Sequence, residues 1–385
     1  MKQPIHRNRI TSSGAAVAVL ALMLVDGGLN GSSVASASTS AAATLAGKEI
    51  CYTSPANIDV MNEMFNNITK AAAESHVKVE VVNANGSTAM GLQQAQQFLA
   101  SGQCNAIGVV TGVSPASAPT WANLAQKAAK EHVVFANFSA NWITDAALNV
   151  SNPHCPGGQL AAVPAASWYK AHGSGGQVGM LTAPYDAELL SRTTCFEQTF
   201  LKLVGKPVTF WTAADNVGGV TDSAAAAASL LEAHPKIDLI FGWGSDTSVG
   251  IPRAVNEAGF TNPNKFFVGA MDLYAPSLAA LATGKSVLQA GTVFDYDYSG
   301  VSWNFAIENL MLGRKVPPTA LALPIVVNSS TAGQLVKIDS EVISHPDMAF
   351  FPQAMQYCNI VETTPDPYPP ASECKPDPSL YSAPS

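Results

Sequence analysis

Apolar residues fall into short continuous runs along the chain, each followed by a longer stretch in which they recur at helical spacing. Glu49 to Thr53, Lys78 to Val82, Ala106 to Val110 and Val133 to Asn137 read as strands, separated by amphipathic helices over Val60 to Ser75, Ala89 to Ser101 and Thr120 to Glu131. Strand and helix alternate with a period of about 25 to 30 residues, the size of a parallel βα unit. A second alternation follows, with helices over Gly158 to His172, Glu188 to Leu203 and Ser223 to Ala233 and strands over Gln177 to Leu181 and Val208 to Thr212. Its most informative stretch is Ile237 to Tyr274: a buried strand to Gly242, a polar turn with Ser245 and Asp246, a helix through Ala258, and a strand from Phe266 to Met271 that ends on Asp272. Fully apolar strands of this kind belong to parallel sheets covered by helices on both faces.

Later elements are a helix over Ala275 to Thr283, a strand over Ser286 to Thr292, a helix over Gly300 to Leu312 and a last strand over Leu323 to Val327. The segment Ser139 to Pro156 lacks periodicity and suits a crossing between two lobes. From Lys337 the chain turns Pro-rich, which predicts an irregular tail tied down by cysteines rather than by a core. The fold class is therefore α/β, with two successive Rossmann-like halves whose parallel sheets face each other across a cleft.

Length and composition sharpen this picture. With 385 residues the chain exceeds one typical core. Lys2, Arg7 and Arg9 precede an apolar stretch from Ala15 to Val25 and the small residues Ala35, Ser36 and Ala37, so residues 1–37 read as a signal peptide and residues 38–46 as a linker. Export is the expected fate, to the periplasm or the outside. Loss of three basic residues and one acidic residue with the leader takes the formal charge from −8 to −10, which gives no reason to expect a nucleic-acid partner. Six cysteines, Cys51, Cys104, Cys155, Cys195, Cys358 and Cys374, remain in the exported part and read as disulfides, without zinc-like spacing. Pairing each with its nearest neighbour in the chain is one hypothesis for their connectivity.

Motifs of catalysis are missing. There is no HExxH and no GxSxG, and Gly284-Lys285-Ser286 lacks the upstream glycine of a phosphate loop because Ala279 stands there. Asp295, Asp297, Ser299 and Gly300 imitate the start of a calcium loop, but Ala306 replaces the closing Glu. Nothing calls for a cofactor or a metal. Ligands of open parallel sheets bind beyond the carboxyl ends of the strands, which singles out Ser245, Asp246 and Asp272; both aspartates also suit helix caps. Paired carboxylates could serve a glycoside hydrolase, but no second feature supports that reading.

The order of elements, with the strings LIFGWGSDTSVG, FFVGAMD and LLSRTTCFEQTF, resembles the type 1 periplasmic sugar-binding proteins of the ribose- and galactose-binding kind, substrate-binding subunits of ABC importers. The resemblance covers about Gly47 to Val336. It implies a three-segment hinge near Asn149 to Asn152, Thr292 to Asp295 and Leu321 to Pro324. The corresponding lobes are residues 47–150 with 295–322 and residues 151–294 with 323–336, leaving 337–385 as the tail.

By the same resemblance Arg192, four residues before Phe196, bonds ligand hydroxyls, and Asp272 receives them. The Asn-Asp turn of the family falls on Gly244-Ser245 or Ser245-Asp246. The first-lobe binding loop falls on Asn57, Val60 and Met61, without stacking aromatics, and Asp295 lies on a hinge strand. Phe138-Ser139 replaces an Asp-Arg pair, which implies a less charged site and a ligand other than ribose.

Trp142 and Trp243 are candidates to stack on a sugar face, with ordinary packing as the alternative. Arg192 could instead pair with Glu188 one helical turn away. The expected protein is a monomer that closes on a small polyhydroxylated solute, a sugar above all, and presents it to an ABC permease. A chemotaxis or signalling receptor in the membrane is the alternative partner.

Overall fold

The structure is a computed structural model, and it describes residues 44–110, 116–139, 141–215, 219–341, 355–358, 374–381 and 384. The signal peptide, most of the linker and the cluster of prolines from Pro365 to Pro370 lie outside the described residues.

Among the described residues, fourteen strands form two sheets. The first is built from β1 (Glu49–Ser54), β2 (Lys78–Asn83), β3 (Ala106–Val109), β4 (Val134–Phe138) and β5 (Leu148–Ser151), interleaved with helices α1 (Asp59–Glu74), α2 (Thr88–Ser101) and α3 (Ala118–Lys130). The second is built from β6 (Gln177–Thr182), β7 (Thr209–Ala214), β8 (Ile237–Gly242), β9 (Phe267–Met271) and β10 (Leu288–Val293). Its helices are α4 (His154–His172), α5 (Ala187–Val204), α6 (Gly219–Ala233), α7 (Ser245–Glu257) and α8 (Ala275–Ala282). In each sheet the first five strands are parallel, and their spatial order is second, first, third, fourth, fifth. That order places a switch point between β1 and β3 and another between β6 and β8, the crevices where doubly wound sheets bind ligands. The edge strands β2 and β7 are half-exposed, whereas β3, β5 and β9 are buried throughout, as strands covered on both faces must be.

The chain passes between the sheets at three described places. β5 leads into α4, β10 leads into α9 (Tyr296–Met311), which packs on α1, and β11 (Thr319–Ala322) of the first sheet leads into β12 (Ile325–Asn328) of the second. β12 stands on most of the strand expected over Leu323 to Val327, and β11 precedes it as a separate strand that the sequence reading does not include. Pro324 explains the break, since proline cannot donate to a continuous ladder. β5 lies inside the segment expected to be an irregular crossing, because four residues give too short a run to show a period.

α9 is buried from Tyr296 to Asn309. Several polar groups near its C-terminal half meet partners in the core: the Tyr52 hydroxyl donates to Asn304 at 2.8 Å, the Asn304 amide to Glu308 at 2.7 Å, and the Ser75 hydroxyl to Glu308 at 2.6 Å. Burial lifts the Glu308 carboxyl to about 7, the two hydrogen bonds opposing.

The C-terminal region departs from the irregular tail expected of it. α10 (Ser329–Glu341) runs through Lys337 and packs on α8. β13 (Met355–Cys358) then pairs antiparallel with β11, and β14 (Cys374–Lys375) with β13. Met355, Tyr357, Leu380 and Tyr381 are core residues, and Tyr357 and Ser302 share a hydroxyl hydrogen bond of 2.8 Å. The reason is the free edge of β11, which these strands cover. Leu45, in the expected linker, is likewise buried in the core. Disulfides join Cys51 to Cys104, Cys155 to Cys195 and Cys358 to Cys374.

α4 and α5 pack closely because Gly158 has no side chain. A Cβ there would lie 2.0 Å from the Arg192 carbonyl oxygen, a backbone atom that cannot swing aside. Gly158→Ala is expected to lower stability by about 1–3 kcal/mol, the cost of overpacking, read as a lower urea midpoint. An unchanged midpoint would mean that the two helices separate freely.

Candidate functional site

The second sheet supplies the groups at the cleft. β8 ends at Gly242, and Trp243 and the extended Gly244 deliver the chain into α7, whose first turn holds Ser245 and Asp246, both buried. β9 ends at Met271, and Asp272 then adopts a left-handed conformation (φ 52°) that turns the chain into α8. Asp295, at the end of β10, is also left-handed (φ 44°), and its carboxylate caps α9 by accepting the Tyr298 N–H at 3.2 Å. Aspartate tolerates this region better than most residues, so two strand ends can turn sharply without glycine.

Arg192, in the middle of α5, is 1% exposed and faces these strand ends. Its guanidinium donates to Asp272, to the Trp243 carbonyl at 2.9 Å and to Nδ1 of His154 at 3.2 Å, and lies 5.6 Å from the centre of the Phe294 ring. Burial disfavours the Arg192 charge, but Asp272 and Tyr296 outweigh it and raise its pKa. Burial, reinforced by the Arg192 charge, holds His154 well below the ordinary histidine range, so it accepts as the neutral imidazole. Arg192 is thereby engaged with protein groups. The alternative pairing with Glu188 is not made: Glu188 instead accepts from the Asn141 side chain across the cleft, and burial followed by Asp186 lifts its carboxyl to about 7.

The other candidates are distributed as follows. Trp243 is buried and donates its indole N–H to Asp215 at 3.0 Å, with the Tyr185 ring edge-on at 6.4 Å. Trp142 is half-buried, and its indole N–H has no partner. Phe138 is packed against Trp303 and Tyr296. Val60 and Met61 are buried on α1, and Asn57 is exposed, accepting from Asn62. A second contact crosses the cleft where the Tyr274 hydroxyl meets Asp59 at 3.4 Å.

Between α1 and the ends of β9 and β10 lies a gap whose walls include Val60, Glu63, Tyr274, Asp295, Tyr296 and Asp297. The less charged site that Phe138-Ser139 implies is not what surrounds it. Carboxylates accumulate here, and several are pushed upward. Asp246 rises to about 6 through burial and then Asp215 and Asp59. Asp295 rises to about 6 through burial. Asp297 rises well above the carboxylate range through burial and then Glu63 and Asp295. One oxygen each of Asp215, Asp272, Asp295 and Asp297 is buried with no hydrogen-bond partner. Such acceptors are costly unless a donor enters. Asp59, Glu63, Asp215 and Asp297 were absent from the sequence-derived set. Asp215 obeys the same strand-end rule as Asp272, being the residue after β7, and could have been found by it.

These carboxylates do not converge as metal ligands. Among the described residues the one group with ligating atoms close together is Glu49, Cys51 and Glu80, where the Cys51 sulfur is already in a disulfide. Nor is any described helix long and apolar enough to cross a membrane.

Residues 51–300 match the model of the periplasmic binding protein domain. The chain belongs to this family. No curated protein matches this periplasmic binding protein. Among solved structures it resembles a 5-methylthioribose transporter solute-binding protein from Thermotoga lettingae, at TM-score 0.63 and 16% identity over 75% of this chain and 88% of that one. A periplasmic solute-binding protein from Actinobacillus succinogenes with bound D-allose also has TM-score 0.63, at 18% identity, covering 74% and 99%. One from Bacillus halodurans with bound myo-inositol has TM-score 0.63 and 15% identity, covering 76% and 98%. At these identities the likeness establishes the shared fold.

The raised carboxyls fix the sign of a pH dependence. Asp246 and Asp295 hold their protons more tightly folded than unfolded, so the stability they contribute is full below about pH 4 and is lost as pH rises through about 6. His154 acts the other way, as one group against several. The free protein is expected to melt a few degrees higher at pH 5 than at pH 7.5, with Asp246→Asn and Asp295→Asn each flattening the slope in differential scanning calorimetry. A slope of opposite sign, or variants that leave it unchanged, would contradict these assignments.

Proposed function

We propose that this periplasmic binding protein is exported, captures a small polyhydroxylated solute between its lobes and presents it to an ABC importer. The observation that carries this reading is the set of buried, partnerless carboxylate oxygens on Asp295 and Asp297, which line the gap, and on Asp215 and Asp272, which follow strands β7 and β9. A hydroxyl both donates and accepts, and a solute with several can satisfy such acceptors at once. Trp243, Tyr274 and Tyr296 supply apolar faces for the carbon side of a sugar ring. The sugars and the cyclitol bound by the structural neighbours belong to the same chemical class.

Asn57, Val60, Met61, Phe138, Trp142, Arg192, Ser245, Asp246 and Asp272 fit this reading in different ways. Asp246 and Asp272 accept hydroxyls, Arg192 fixes Asp272 rather than reaching far into the cleft itself, and Val60 and Phe138 bound it with apolar surface. No bond is made or broken. Binding favours the closed arrangement, since only there do both lobes touch the solute.

A thermal-shift screen with pentoses, hexoses and cyclitols is the test. At least one is expected to raise the melting temperature without being turned over. Asp246→Ala should stay folded and bind that solute about ten- to a hundredfold more weakly, the worth of one or two hydrogen bonds to a charged acceptor. Turnover of a sugar, or full affinity in the Asp246 variant together with Asp272→Ala, would remove the proposal.

A further inference from the structure

The cleft is unbalanced in charge, and this bears on which solute it takes; the inference rests on reading the cleft as a solute site. Asp215, Asp246, Asp59, Glu63, Asp297 and Asp295 form a continuous series in which each carboxylate feels the next. Arg192 is bound to Asp272, and Lys70 acts electrostatically on Asp297. The walls of the gap place Glu63 from α1 opposite Asp295 and Asp297 from the β10 to α9 crossing. Asp295 is 7% exposed and Asp297 8%; both line the gap, and each has one buried oxygen without a hydrogen-bond partner. The enclosed part of the gap is small, about 20 Å³, room for one water- or ammonium-sized group.

A neutral sugar can donate hydrogen bonds to these oxygens, but it leaves their mutual repulsion in place. An ammonium group does both. An anionic sugar would add charge of the same sign in a poorly solvated space, where like charges repel most strongly.

We propose that the solute is an amino-polyol, its protonated nitrogen held by Glu63, Asp295 and Asp297 while its hydroxyls meet the strand-end groups of the second lobe, and that sugar acids and sugar phosphates are excluded.

The test uses matched sets in isothermal titration calorimetry at pH 7 and low salt: D-glucosamine, D-glucose and D-glucuronate, the corresponding galactose set, and putrescine as a cation without hydroxyls. A hexosamine is expected to bind at least about tenfold more tightly than its neutral parent, with the uronates silent, and Asp297→Asn should bring amine and parent to within about threefold. A neutral hexose bound as tightly as its amine, or a bound uronate, overturns the charge inference and leaves sugar capture standing. Putrescine binding without any hexosamine overturns the polyol and keeps the cation. Silence of every compound overturns both.

Discussion

A single buried guanidinium holds the second lobe's strand ends in place. Arg192 reaches from α5 to Asp272 after β9, to the carbonyl of Trp243 after β8 and to His154 at the start of α4, so four separate segments share one charge. Two opposite charges buried together give little net stability, but loss of either partner leaves the other stranded, at a cost of about 3–5 kcal/mol. The pair therefore acts as a geometric clamp. It keeps Asp272 in a left-handed turn that the backbone alone would not favour, and it sets the positions from which the neighbouring carboxylates face the gap.

Those carboxylates are the second consequence. Burial comes first in raising the acid groups at Asp215, Asp246, Asp295 and Asp297, and for Asp246 and Asp297 repulsion between acids adds to it. A folded chain tolerates such a cluster only where other packing supports it or where an incoming group relieves it. The same feature that makes the cleft costly when free would make a hydrogen-bonding solute effective under the proposed function, because each donor it brings would meet an acceptor that already lacks one. Contacts from Asn141 to Glu188 and from Tyr274 to Asp59 bring the two lobes together around this gap.

The first lobe is completed from far along the chain. The matched family domain ends at residue 300, within α9, yet the first sheet also needs β11, β13 and β14. Tyr357 and Tyr381 pack beside Ser302 and Tyr298 of α9, so the C-terminal segment secures the helix that begins at Asp295, on the wall of the gap.

The parallel sheets, the paired halves, the strand-end positions of Asp246 and Asp272 and the family resemblance were all legible in the residues themselves. Each depends on local patterning: apolar runs bounded by turns, and polar residues directly after them. Where a helix began early, as α9 does at Tyr296 rather than Gly300, the aromatic and acidic FDYDY run hid a cap whose geometry is tertiary. β5 and β13 went unseen because four-residue runs carry no period, and they become strands only when a neighbour offers its edge. Likewise no spacing could tell that Arg192 turns onto Asp272, 80 residues away, or that Glu63 on α1 faces Asp297 on α9. Which residues end a strand is a property of the chain. Which charges are buried together, and which are left without a partner, is settled only when the two sheets are set against each other, because burial and Coulomb interaction depend on distance in space and not along the sequence.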